Sequence, residues 1–218
     1  MVASFLAGEP PLRELVELLR PDTLPDGTEP EERLVTCGLS WQRYLDLDKA
    51  LGDDRPGPRL YYLAGDLEIT TTSLEHERLK KWIGDLLAIF FEHHGTEIMP
   101  HGQATMRLAL KAAGAEPDES WCFGAEKEFP DLVLEIVLTS GGVSKLELYG
   151  RFQVPEVWFW RSGGLKIFSL RPDASGYEPV LRSALLPKLD VALLERCVRI
   201  PSWQDARREF RAGLTAGA

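Results

Sequence analysis

Residues 132–138 (LVLEIVL) constrain this chain more than any other stretch. Six of the seven are aliphatic, the pattern of a strand buried on both faces, and Glu135 stands at their centre. A carboxylate there is costly to desolvate, so it calls for a cation or a metal as company. The rest of the chain is therefore read for partners of Glu135.

Upstream, residues 11–19 (PLRELVELL) have helical spacing, with Leu12, Leu15, Val16 and Leu19 on one face. Residues 21–32 carry Pro21, Pro25, Pro30 and a run of acids, which reads as a linker. A short strand over 33–39 leads to Ser40, a good N-cap for a helix through Trp41, Tyr44 and Leu45 to about Leu51. A loop is expected over 52–58, and a hairpin over 59–72 that turns at Ala64-Gly65-Asp66.

The longest helix is expected from Ser73 to His94, closed by Gly95, with Leu79, Ile83, Leu86, Leu87 and Phe90 as its apolar stripe. Strands are expected at 97–99, 104–110 and 120–123, then the central strand and a helix over 144–152. A hairpin pairs 157–160 with 165–170 across Arg161-Ser162-Gly163-Gly164, and 177–181 adds a strand. Residues 191–214 read as one or two helices ending in Arg207, Arg208 and Arg211. This order predicts an α/β domain, a mixed sheet flanked by helices. The domain plan is an N-terminal helical extension and linker at 1–58, a core at 59–185 and a helical tail at 186–218.

Cys37, Cys122 and Cys197 form no CxxC and suggest neither a disulfide framework nor a zinc knot, which fits a cytoplasmic home. No apolar run is long enough to cross a bilayer. A net charge of −9 argues against a protein that coats nucleic acid. It leaves a nuclease open, because carboxylates that hold a metal lower the charge themselves.

Asp131 is four residues from Glu135 on the same strand face, roughly 13 Å away, too far to share one ion. Asp118 lies on the preceding strand and comes within reach of Glu135 if the two strands pair, since neighbouring strands are about 5 Å apart. An Asp and a Glu so placed offer oxygen ligands suited to Mg²⁺, with Mn²⁺ as a substitute. Lys145, opening the next helix, has the stem to orient an attacking water.

Pro117-Asp118, Pro130-Asp131-Leu-Val-Leu-Glu135, Lys145-Leu-Glu-Leu-Tyr149 and Val154-Pro155-Glu156-Val157-Trp158 together resemble the Uma-two family of restriction-endonuclease-like proteins, within the PD-(D/E)XK nuclease superfamily. The hairpin 63–68 and the helix start Ser73-Leu-Glu-His76 fit the same pattern. The resemblance implies a restriction-endonuclease-like core with Mg²⁺-dependent hydrolysis of DNA phosphodiester bonds. It also implies Asp118 and Glu135 as metal ligands, with Lys145 as a lysine displaced from strand to helix. Two departures stand out. Val137 occupies the superfamily's lysine position, and the loop 138–144 is shorter than the family's and lacks its acidic residue. The shorter loop and the acidic balance keep open an alternative, a catalytically inactive nuclease fold that binds nucleic acid or a partner protein.

At about 100° per residue, with His76 as zero, the long helix's stripe falls between about −80° and +20°. His76 lies on it, Glu75 borders it at about −100°, and Glu77 points away at about +100°. Glu75 and His76 are thus candidates to support the site, and Glu77 is expected in solvent. Each candidate also has a structural reading: an ion pair for Glu135, a turn acid for Asp118, a solvated lysine for Lys145 and a core-edge histidine for His76. Cutting two strands with one site per chain favours a homodimer.

Overall fold

A computed structural model describes residues 4–6, 33–52, 58–138 and 142–216. The helix expected at 11–19 and the linker at 21–32 lie outside the described residues. The fold is α/β, with two mixed six-stranded sheets and five α-helices among the described residues. The chain divides into two compact units: Met1–Leu74 with Thr105–Glu116 and Thr139–Phe152, and Glu75–Ala104 with Pro117–Leu138 and Gln153–Ala218.

The first unit holds strands β1 (Ser4–Leu6), β2 (Arg33–Thr36), β3 (Arg59–Leu63), β4 (Asp66–Thr70), β6 (Met106–Leu108) and β7 (Ala113–Ala115). Their order is β1-β2-β4-β3-β7-β6, with β1 parallel to β2 and every other pair antiparallel. Helix α1 (Trp41–Leu51) starts where expected, because the Ser40 hydroxyl accepts from the Arg43 N–H at 3.3 Å. Its buried face carries Tyr44 and Leu47 onto Leu60, Tyr62, Leu67 and Ile69. Tyr44 stacks on Tyr62 with ring centroids 5.0 Å apart.

Strand β7 reads Ala-Gly-Ala and lacks the β-branched signature of a strand, so the sequence did not announce it. Its small residues have a packing reason: a Cβ at Gly114 would collide with the Tyr44 ring. The strand expected over 104–110 is correspondingly shorter, ending at Leu108 and passing into a 3₁₀ turn, Ala109–Lys111. Helix α3 (Lys145–Phe152) packs on β7, and Lys111 and Arg151 bind each other's backbone carbonyls, Lys111 Nζ to Arg151 O at 2.9 Å.

The second unit holds β5 (Ile98–Pro100), β8 (Glu119–Phe123), β9 (Leu132–Val137), β10 (Glu156–Arg161), β11 (Gly164–Leu170) and β12 (Tyr177–Val180). The order is β12-β11-β10-β9-β8-β5, and β9-β10 is its parallel pair. The expected central strand is therefore an interior strand of this sheet. Leu132, Leu134 and Ile136 on β9, Trp158 and Trp160 on β10 and Trp121 on β8 pack with helix α2 (Leu74–His94), through Ile83, Leu86, Leu87 and Phe90. Helices α4 (Val191–Val198) and α5 (Trp203–Ala216) add Leu193, Leu194, Phe210 and Leu214 to the same core. Among the described residues, no helix is long and apolar enough to cross a membrane.

Candidate active site

Strands β8 and β9 run antiparallel, with Glu119 opposite Leu134 and Ser120 opposite Val133. Asp118 is the residue just before β8, at the start of that ladder, and its carboxylate reaches the backbone of Ile136, the residue after Glu135. The flanking residues Leu134 and Ile136 project to the other face and enter the core. Asp118 and Glu135 are each 1% exposed. Carboxylates at that burial are costly unless donors, a proton or a cation accompany them.

Asp118 is held by two donors. The Ile136 N–H donates to its Oδ2 at 2.7 Å, and His76 Nε2 lies 3.1 Å from the same oxygen. That contact requires the proton on Nε2, so the imidazole donates to Asp118 through this nitrogen. His76, 3% exposed, thus positions the carboxylate. It sits in the first turn of α2, which places it beside the start of β8.

The two acids flanking His76 reverse the angular expectation. Glu75 is exposed, whereas Glu77, expected in solvent, turns back along the helix. Its Oε2 is 2.6 Å from Lys80 Nζ and its Oε1 is 3.7 Å from His76 Nδ1. The reason is the one-turn spacing: residues three apart are neighbours on a helix, and an opposite charge outweighs a modest angular offset. Lys80 itself is 1% exposed. Its position, about 40° from His76 at 100° per residue, borders the apolar stripe, and that signal was legible in the sequence.

Lys145 opens α3 in the first unit, with its Nζ 3.0 Å from the centroid of the Tyr61 ring, a cation–π contact. The same unit buries Glu68, which no chemical argument from the sequence had singled out. Its Oε1 meets Arg33 Nε at 3.1 Å and accepts from Thr70 Oγ1 at 3.0 Å, and its Oε2 accepts from the Val143 N–H at 2.8 Å. Glu68 therefore ties down the chain just before α3.

A family model matches residues 41–204: Uma2, described as "Putative restriction endonuclease". The chain belongs to the Uma2 family. No curated protein matches it. The Uma2 match covers the whole second sheet, strands β3, β4, β6 and β7 of the first, and all the candidate residues.

Whether those acids suit a divalent cation depends on donor number. Among the described residues, no three His, Cys, Asp or Glu side chains cluster as a metal cage. Mg²⁺ does not need one, since it keeps several waters and takes one or two carboxylates with substrate phosphate. The hard-oxygen pair Asp118 and Glu135 in this Uma2 chain fits that demand.

The other acids have structural tasks. Asp131 accepts from the Phe123 N–H at 2.8 Å and pairs with Lys127 at 2.7 Å. Glu156 accepts from Trp158 Nε1, Ser183 Oγ and the N–H groups of Ala184 and Leu185, at 2.6–3.2 Å. His93 and His94 close α2, the His94 ring 4.5 Å from Phe90. Burial, raised against the thiolate, pushes the Cys122 thiol above its usual range.

Proposed function

We propose that this Uma2 protein is an endonuclease that hydrolyses DNA phosphodiester bonds with Mg²⁺, for which Mn²⁺ substitutes. The observation that supports the reading is the burial of both carboxylates, Asp118 at the start of β8 and Glu135 on β9, with Asp118 bonded to the backbone of Ile136 beside Glu135. Asp118 and Glu135 would hold the ion, which supplies Lewis-acid stabilisation of the phosphoryl oxygens and a water acidified for attack. The Ile136 N–H and His76 fix the rotation of the Asp118 carboxylate, so that its second oxygen presents a set direction to a cation. The aliphatic neighbours of Glu135 keep competing water away and strengthen the charge interaction.

The test is plasmid cleavage with Mg²⁺ or Mn²⁺. Wild type should nick or linearise the DNA and Glu135→Ala should not; cleavage that survives Glu135→Ala defeats the mechanism. The family likeness assigns water activation to Lys145, and Lys145→Met tests that separately: turnover should fall while ion binding stays. A homodimer would supply one site per strand, which light scattering of the purified protein checks.

A second reading is favoured by the net charge of −9 and the short loop before Lys145. In it the fold binds nucleic acid or a partner protein without cutting. DNA binding with no heat of Mn²⁺ binding would select this reading.

A further inference from the structure

Helix α2 carries a charge that the proposed chemistry has not used. Lys80 is 1% exposed, as buried as the apolar core around it. A buried ammonium costs desolvation free energy, and its ion pair here is with Glu77, a side chain 38% exposed. Such a pair is a poor device for stability, because an apolar side chain of the same volume would serve the core as well or better. The geometry gives the pair another task. Glu77 spans from Lys80 Nζ (2.6 Å to Oε2) to His76 Nδ1 (3.7 Å from Oε1), and His76 Nε2 lies 3.1 Å from Asp118 Oδ2.

We infer that Lys80 is a positioning residue for the cation site, acting on Asp118 through Glu77 and His76. The inference rests on the proposal that Asp118 and Glu135 bind the ion. The ammonium fixes the Glu77 carboxylate against the first turn of α2. Glu77 in turn lies against the Nδ1 side of the imidazole, 3.7 Å away, and limits the turning of the ring, while Nε2 holds the Asp118 oxygen. All four side chains belong to one unit, and three of them to five consecutive residues of one helix, 76–80. Loss of the ammonium lets Glu77 swing to solvent, the ring turn and the Asp118 carboxylate rotate.

The readout is Mn²⁺ affinity by calorimetry, with melting temperature recorded for each variant of the full chain. Wild type, Glu135→Gln, Lys80→Met, Lys80→Arg and Glu77→Gln are compared. Partners one step behind a metal ligand typically carry about 10–100-fold in metal affinity. Lys80→Met and Glu77→Gln are expected to lose about tenfold or more, with Lys80→Arg recovering most of it at an unchanged melting temperature. Glu77 is partly exposed, so Glu77→Gln reports even if Lys80→Met does not fold. Wild-type affinity in Glu77→Gln or in a folded Lys80→Met overturns the inference and leaves the site standing, provided Glu135→Gln has lost the ion. Absence of Mn²⁺ binding by wild type, or binding indifferent to Glu135→Gln, overturns both.

Discussion

His76 donates to Asp118 Oδ2 from the first turn of a helix, and the backbone of Ile136 donates to the same oxygen from the neighbouring strand. The carboxylate is thus gripped by two elements at once. His76→Ala removes one grip and leaves a void at a 3% exposed position. Cleavage of plasmid DNA at saturating Mg²⁺ should fall about 10–100-fold. His76→Gln, which keeps an N–H donor, should fall less. Equal rates for the two variants would show that the imidazole only fills space.

Gly142 has φ +92°, a left-handed conformation, and a Cβ there would collide with Glu68 Oε2. Gly142→Ala should therefore displace the carboxylate that receives the Val143 N–H and pairs with Arg33. Strain of this kind costs about 1–3 kcal/mol, before any loss from the displaced pair. Urea denaturation of Gly142→Ala should show a lower midpoint, and an unchanged midpoint would mean that the loop shifts freely.

Glu156 gathers four donors at the start of β10. Glu156→Ala leaves the Trp158 indole and Ser183 hydroxyl buried without their acceptor. Each buried polar group left unsatisfied costs about 1–3 kcal/mol. The variant should melt well below wild type in differential scanning calorimetry. Any folded fraction should bind Mn²⁺ normally, which separates this acid from Glu135.

His94 titrates below the usual histidine range, chiefly because burial disfavours the imidazolium, with His93 and Lys188 adding repulsion. A lowered folded-state pKa means the neutral ring contributes stability above about pH 6.5, the unfolded value. That contribution is lost as pH falls through the lower folded value. Thermal melts between pH 7 and pH 5 should show a shallower decline for His94→Gln than for wild type.

Local signals in the chain were reliable where neighbours in sequence do the work. Ser40 capped its helix, the stripe on α2 ran to His94, and residues 164–170 returned against 156–161. Where a distant contact decides, the signal failed or misled. Ala113-Gly114-Ala115 is a strand through its pairing with β3 and β6, and its glycine leaves room for the Tyr44 ring. One mixed sheet was expected, and two were found among the described residues, because no local pattern says which of their twelve short strands pair. Glu77 was assigned to solvent by its angle, yet a buried ammonium one turn on draws it back.

The sequence alone determined the family, the apolar strand around Glu135 and the helix that delivers His76, because periodicity and capping act over a few residues. Only the tertiary structure decided which oxygen of Asp118 is held, by what, and that Lys80 is buried behind it. Those facts arise from strand pairing and helix docking between segments some forty residues apart, from His76 to Asp118, where the free energy of burial, not local propensity, selects the partner.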